Sequence, residues 1–198
     1  MRAVVGPPSI RRKKDNSRTL LAYHEAGHAV LSAAINEVPS QVSIIGDAAS
    51  LGRTSQRMLA RPSVLAQVCL AGFAAEHLLT GRRPRQLDQE VRFSILARRD
   101  SELMKAFAGA DQRDGHRAVQ EVQRMMLPRS DDELSQAVNR LYDAARESLG
   151  CVWPAVGRVA AALLERESLD RDGVCDAIGD VDVLGAVFAI QDQRGLRG

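Results

Sequence analysis

Tyr23-His24-Glu25-Ala26-Gly27-His28-Ala29-Val30 carries two histidines four positions apart, with a glutamate directly after the first. On an α-helix, positions i and i+4 share one face, so His24 and His28 can present two imidazoles to one metal ion. Glu25 then sits beside the open coordination position, where it could take a proton from a metal-bound water. The surroundings are those of a largely buried helix: Leu20, Leu21, Ala22, Ala26, Ala29, Val30, Leu31, Ala33, Ala34 and Ile35 are all apolar. Two histidines and a glutamate inside such a helix need partners, and a zinc ion supplies them. The plainer reading is a helix with two partly exposed histidines. The apolar setting, the close backbone approach allowed by Gly27 and the segments further along the chain weigh against it.

Around this helix the chain has 198 residues, most simply one domain. Hydrophobic residues make up 45% and aromatics only 4%, with alanine and leucine dominant. That composition favours close-packed helices over a large sheet, so the expected fold is mainly α with a small β-sheet (α+β). A net charge of +2 is too small to argue for a nucleic-acid partner. The basic clusters Arg11-Arg12-Lys13-Lys14 and Arg82-Arg83-Pro84-Arg85 read as a solvated arm and a solvated loop. Cys69, Cys151 and Cys175 are sparse, odd in number and without metal-ligand spacing, which points to a reducing compartment. Val181 to Ile190 is interrupted by Asp182 and too short to span a bilayer, and no apolar run opens the chain. The expectation is a soluble, cytoplasmic protein with no membrane partner.

Taken in order, residues 1–16 read as a flexible arm, because Pro7-Pro8 and the basic run oppose a helix. Ser17 can cap a helix over about Arg18 to Asn36, which Pro39 ends. Gln41-Val42-Ser43-Ile44-Ile45 is β-rich, and Leu51-Gly52-Arg53-Thr54-Ser55-Gln56 is its candidate partner. One of these strands at a sheet edge would let an extended peptide add to it. A second apolar helix starts at Pro62 and stops at Gly81. Glu76 is a polar residue on its apolar stripe, equally readable as an acceptor orienting a ligand histidine or as a solvated glutamate. Leu87 to Phe107 has helical periodicity with a charged face read as solvated. Further helices are expected into Met126, over Leu134 to Leu149 and over Val156 to Leu164, with a short last one over Leu169 to Ile178.

A catalytic zinc usually has three protein ligands and one water. No Gly-x-x-His follows His28, so the third ligand comes from further along. Here the chain resembles a known family. Ala22 to Val30 is similar to the zinc helix of the peptidase domain of the FtsH family of metalloproteases. Leu70-Ala71-Gly72-Phe73-Ala74-Ala75-Glu76 resembles that family's Leu-Gly-Gly-Arg-Ala-Ala-Glu segment. Asp114-Gly115-His116-Arg117-Ala118 resembles its Asn-Asp-x-x-x-Ala segment, and Leu163 to Leu169 its Leu-Leu-Glu-x-Glu-Thr-Leu. The matches follow the family's order from about Leu20 to Ile178. The resemblance implies a zinc-peptidase domain over 17–180, between the arm 1–16 and a tail 181–198. It implies His24, His28 and Asp114 as ligands of one Zn2+, and Glu25 as general base. It also implies Leu51, Gly52, Arg53 and Thr54 as the strand along which substrate lies. Asp111, His116 and Glu76 are the alternative third ligands, because the segment before Asp114 is one residue longer than the family's.

Members of that family carry transmembrane helices and an AAA+ ATPase before the peptidase domain. No Gly-x-x-x-x-Gly-Lys-[Ser/Thr] phosphate loop occurs in this sequence. The expected function is therefore an ATP-independent zinc endopeptidase acting on flexible or unfolded protein segments. Two other uses of the site stay open: a zinc-holding module that binds a peptide or partner without turnover, and a peptidase subunit depending on a separate ATPase or regulatory partner. A homo-oligomer is compatible with each.

Overall fold

The structure, a computed structural model, describes residues 10–45, 53–55, 61–98, 113–128 and 130–183, with backbone alone for 10–15 and 53–55. Seven helices and three short strands are described: α1 (Ile10–Ala33), β1 (Gln41–Ser43), β2 (Arg53–Ser55), α2 (Pro62–Thr80), α3 (Arg85–Ala97), α4 (Asp114–Met125), α5 (Asp131–Cys151), α6 (Trp153–Arg166), β3 (Ser168–Asp170) and α7 (Arg171–Ile178). The fold is mainly helical with a small antiparallel sheet, as the composition implies.

Helix α2 is the centre of the assembly, packed against α1, α4 and α5. Every residue from Ala66 to Ala75 is buried, so this helix has no solvent face over almost three turns. Its length and mean hydropathy of 1.3 are enough to cross a membrane; here its apolar surface is spent on neighbouring helices. Small side chains make the closest of these contacts. A Cβ at Gly27 of α1 would lie 2.6 Å from the Ala71 carbonyl oxygen and 2.8 Å from Ala75 Cβ. Helix α6 covers the other side of α1, where Trp153 stacks on Tyr23 with ring centroids 5.4 Å apart. Helix α3 packs on α4, outside the central layer.

Several element boundaries differ from the sequence expectation, each for a local reason. Helix α1 begins at Ile10, inside the stretch expected to be a flexible arm. Arginine and lysine are good helix formers, and a basic run after the prolines extends the helix rather than preventing it. Its end is made by Asn36 in the left-handed conformation (φ 62°), three residues before Pro39. Helix α5 starts at Asp131, where Ser130 Oγ accepts from the Glu133 N–H at 3.1 Å. Ser130-Asp131-Asp132-Glu133 is the Ser-x-x-Glu pattern of a helix start. Trp153 and Pro154 form the first turn of α6, and α5 and α6 meet there at 83°.

The expected last helix over Leu169 to Ile178 divides into β3 and α7. Glu167 in the left-handed conformation (φ 65°) closes α6, and Asp170 Oδ1 accepts from the Gly173 N–H at 2.9 Å to open α7. Between them β3 pairs with β1, so the sheet order is β2-β1-β3. Val42 stands opposite Thr54 on one side and Leu169 on the other. Buried Val42 and Leu169 tie the sheet to the core, and β2 lies at a sheet edge among the described residues. Leu51 and Gly52 of the expected substrate strand, the second half of the stretch Leu87 to Phe107 and Asp111 fall outside the described residues.

Candidate metal centre

Helices α1, α2 and α4 build one site, and each contributes a different kind of group. From α1, one helical turn places His24 and His28 side by side, with Nε2 atoms 3.2 Å apart. From α4, Asp114 at the first helical position brings Oδ2 to 3.0 Å from His24 Nε2 and 3.1 Å from His28 Nε2. From α2 come the groups that orient the rings. His24 Nδ1–H donates to Glu76 Oε1 at 2.6 Å, and His28 Nδ1–H donates to the Val68 carbonyl at 2.7 Å. With both Nδ1–H groups committed outward, each ring turns its Nε2 towards Asp114. A carboxylate or carbonyl behind the imidazole is the usual support of a metal-ligating histidine.

His24, His28 and Asp114 are the cluster among the described residues whose ligand atoms could hold a metal ion. The donor set fits zinc. Tetrahedral zinc at about 2.0–2.1 Å from nitrogen and oxygen ligands requires neighbouring ligand atoms about 3.3 Å apart. The three separations here, 3.0 to 3.2 Å, need only a small expansion to admit it. Other small divalent cations accept the same nitrogen and oxygen donors.

Space for the cluster comes from missing side chains. A Cβ at Gly72 would lie 2.3 Å from His24 Nε2 and 2.5 Å from His24 Cδ2. Phe73 closes the other side of the same ring, edge to face at a centroid distance of 5.2 Å. Glu25 and His28 are buried at 5% and 7% exposure. The Glu25 charge acts on His24, which places it in the electrostatic surroundings of the cluster.

His24 and Asp114 form an ion pair 3.0 Å apart. Burial works against a charged His24, but its hydrogen bonds to Asp114 and Glu76 outweigh that and raise its pKa to about 10. Burial also works against a charged Asp114, and the two histidines overcome it, holding the carboxyl well below the usual carboxylate range. A metal ion entering such a site would displace a proton, because Nε2 must be free of its proton to bind.

The alternative third ligands among the described residues have other employment. Glu76 lies behind His24, on Nδ1 rather than among the ligand atoms. His116 donates from Nδ1 to Ser94 Oγ at 2.9 Å and accepts at Nε2 from Gln120 at 2.9 Å. Cys69 is core, and burial pushes its thiol up to about 12. Arg53 and Thr54 lie in the edge strand β2, and that strand approaches α1. Glu90 lies in the stretch Leu87 to Phe107, with its charged face expected to be solvated, and is buried at 3% exposure with its carboxylate on α4. The signal was present: Glu90 and Ser94 share the stripe of Leu87, Val91 and Ile95, which is the buried face.

The chain matches no protein-family model and no curated protein.

Proposed function

We propose that this protein is a zinc metalloendopeptidase, similar to the peptidase domain of the FtsH family, that hydrolyses peptide bonds in flexible or unfolded protein segments. The observation carrying the reading is the convergence of His24 Nε2, His28 Nε2 and Asp114 Oδ2 within 3.2 Å of one another, with Glu25 in the same helical turn. A purely structural zinc site closes all four positions with protein ligands and has no use for the glutamate. Three ligands plus a carboxylate describe a site that keeps one position for chemistry.

When bound, zinc supplies a water acidified to a pKa of about 7 and a Lewis acid for the scissile carbonyl. Residues of this chain do the rest. Glu25 takes the proton on its carboxylate and returns it to the leaving amine. Glu76 and the Val68 carbonyl keep each imidazole in the tautomer that offers Nε2. Asp114 brings the third ligand, and its negative charge at the start of α4 is favoured by the helix dipole. Strand β2, with Arg53 and Thr54, lies at the sheet edge among the described residues, where an extended peptide could add as a further strand.

Cleavage of a flexible protein such as casein by the zinc-loaded wild type, beside Glu25→Gln, tests the proposal. Hydrolysis by the wild type and not by the variant, with one zinc bound to each, is the expected result. Equal hydrolysis by both removes Glu25 from its role. One zinc bound with no cleavage by either turns the reading towards a binding module.

A further inference from the structure

The third ligand stands on a different helix from the two histidines, so something must hold the start of α4 in register with α1. Arg113 precedes α4 without a side-chain cap. The first N–H groups of a helix have no partner within it, and here one is supplied from α3. Glu90 Oε2 accepts the Gly115 N–H at 2.9 Å, immediately after Asp114. The other oxygen, Oε1, accepts from Gln86 Nε2 at 2.9 Å, which fixes the carboxylate from behind. The fit requires glycine: a Cβ at position 115 would lie 2.7 Å from Glu90 Cβ and 2.9 Å from Glu90 Oε2. A second link, His116 Nδ1–H to Ser94 Oγ, holds the next residue of α4 to the next turn of α3.

We infer that the buried Glu90–Gly115 clasp is a positioning device for metal binding: Glu90, through the Gly115 N–H, places the Asp114 carboxylate against His24 and His28. Glu90 touches neither the metal nor substrate and acts through Asp114. The inference rests on the metal-site reading above. It explains why a carboxylate is kept in a buried helix–helix contact, where an apolar residue would pack at lower cost. It also assigns Gly115 a role distinct from that of Gly72: one glycine admits the clasp, the other admits the ligand ring.

The test is the zinc dissociation constant of the full chain, by chelator competition, for wild type, Glu90→Ala, Glu90→Gln, Gly115→Ala, Asp114→Ala and Glu90→Ala with Asp114→Ala. Loss of a group supporting a ligand costs about 10–100-fold in metal affinity. Glu90→Ala and Gly115→Ala should each show that loss. Glu90→Gln, which keeps an acceptor oxygen of the same reach, should bind close to wild type. In the Asp114→Ala background, Glu90→Ala should cost nothing further, because its route to the metal is gone. Wild-type affinity in Glu90→Ala, or an equal loss with and without Asp114, overturns the assignment. If Glu90→Ala does not fold, Gly115→Ala carries the test, since alanine favours the helix while displacing the carboxylate; wild-type affinity there is also fatal. A wild type that takes up no zinc overturns the metal-site reading itself, and this inference with it.

Discussion

Replacing Gly72 by alanine separates the room made for the ligand from the stability of the fold. The new Cβ would stand 2.3, 2.5 and 2.6 Å from Nε2, Cδ2 and Cε1 of His24. Carbon atoms in contact normally stand about 3.5–4.0 Å apart, so the ring must retreat by about 1 Å or more. A small tilt does not suffice, because Nδ1 is tied to Glu76 at 2.6 Å and Phe73 packs perpendicular to the ring at a centroid distance of 5.2 Å. Zinc ligands keep their distances within about 0.2 Å, so His24 would leave the proposed ligand set. The affinity loss should therefore exceed the roughly 10–100-fold expected for a supporting residue. Stability responds differently. Alanine in a helix interior gains about 0.8–1 kcal/mol over glycine, and overpacking costs about 1–3 kcal/mol. Those two effects net to a destabilisation of about 0–2 kcal/mol, and weakening of the His24–Asp114 pair adds to it. Chelator competition gives the zinc affinity, and thermal unfolding of the metal-free protein followed by circular dichroism gives the stability. A Gly72→Ala variant that binds zinc like the wild type would refute the reasoning, since it would mean that the His24 ring is not where the ligand geometry needs it.

Three further outcomes follow from the same cluster. Glu76→Ala should weaken zinc about 10–100-fold while leaving one zinc bound at saturation; unchanged affinity in chelator competition would remove Glu76 from the site. Because metal-free His24 is raised to about 10, zinc uptake at pH 7 should release about one proton, and apparent affinity should rise about tenfold per pH unit between pH 6 and 8. Calorimetry in buffers of different ionisation enthalpy measures that proton, and its absence contradicts a His24 that is protonated before metal binds. In the metal-free protein the signs run the other way for the two partners. The His24 contribution is fully present below its ordinary value of 6.5 and fades as pH rises towards about 10. The Asp114 contribution is fully present above its ordinary value of 3.8 and is lost as pH falls further. The cluster therefore supports the metal-free fold most between those two ordinary values.

The sequence by itself determined the elements with strong local signals. The apolar periodicity around His24 and His28, Pro62 at the head of α2 and Gly81 at its end were all sufficient, because helix initiation and termination depend on residues within a turn of each other. The i, i+4 spacing of the histidines likewise brings them to one face by helix geometry alone. Asp114 was reachable only through a resemblance in segment order. No local rule relates a residue to a partner 86 or 90 positions away.

Tertiary structure decided what depends on such distant partners. Ser168-Leu169-Asp170 is a strand because Gln41–Ser43 lies beside it, not because three residues prefer to be extended. Glu76 could be read from sequence either as solvated or as supporting a histidine, and only the packing of α2 against α1 brings it to Nδ1 of His24. Glu90 looked like surface and is a buried clasp, because what its carboxylate meets is an N–H from another helix. Burial and hydrogen bonding are properties of juxtaposed elements. The candidate metal ligands are therefore half a matter of sequence, in the two histidines, and half a matter of how α2, α3 and α4 pack around them.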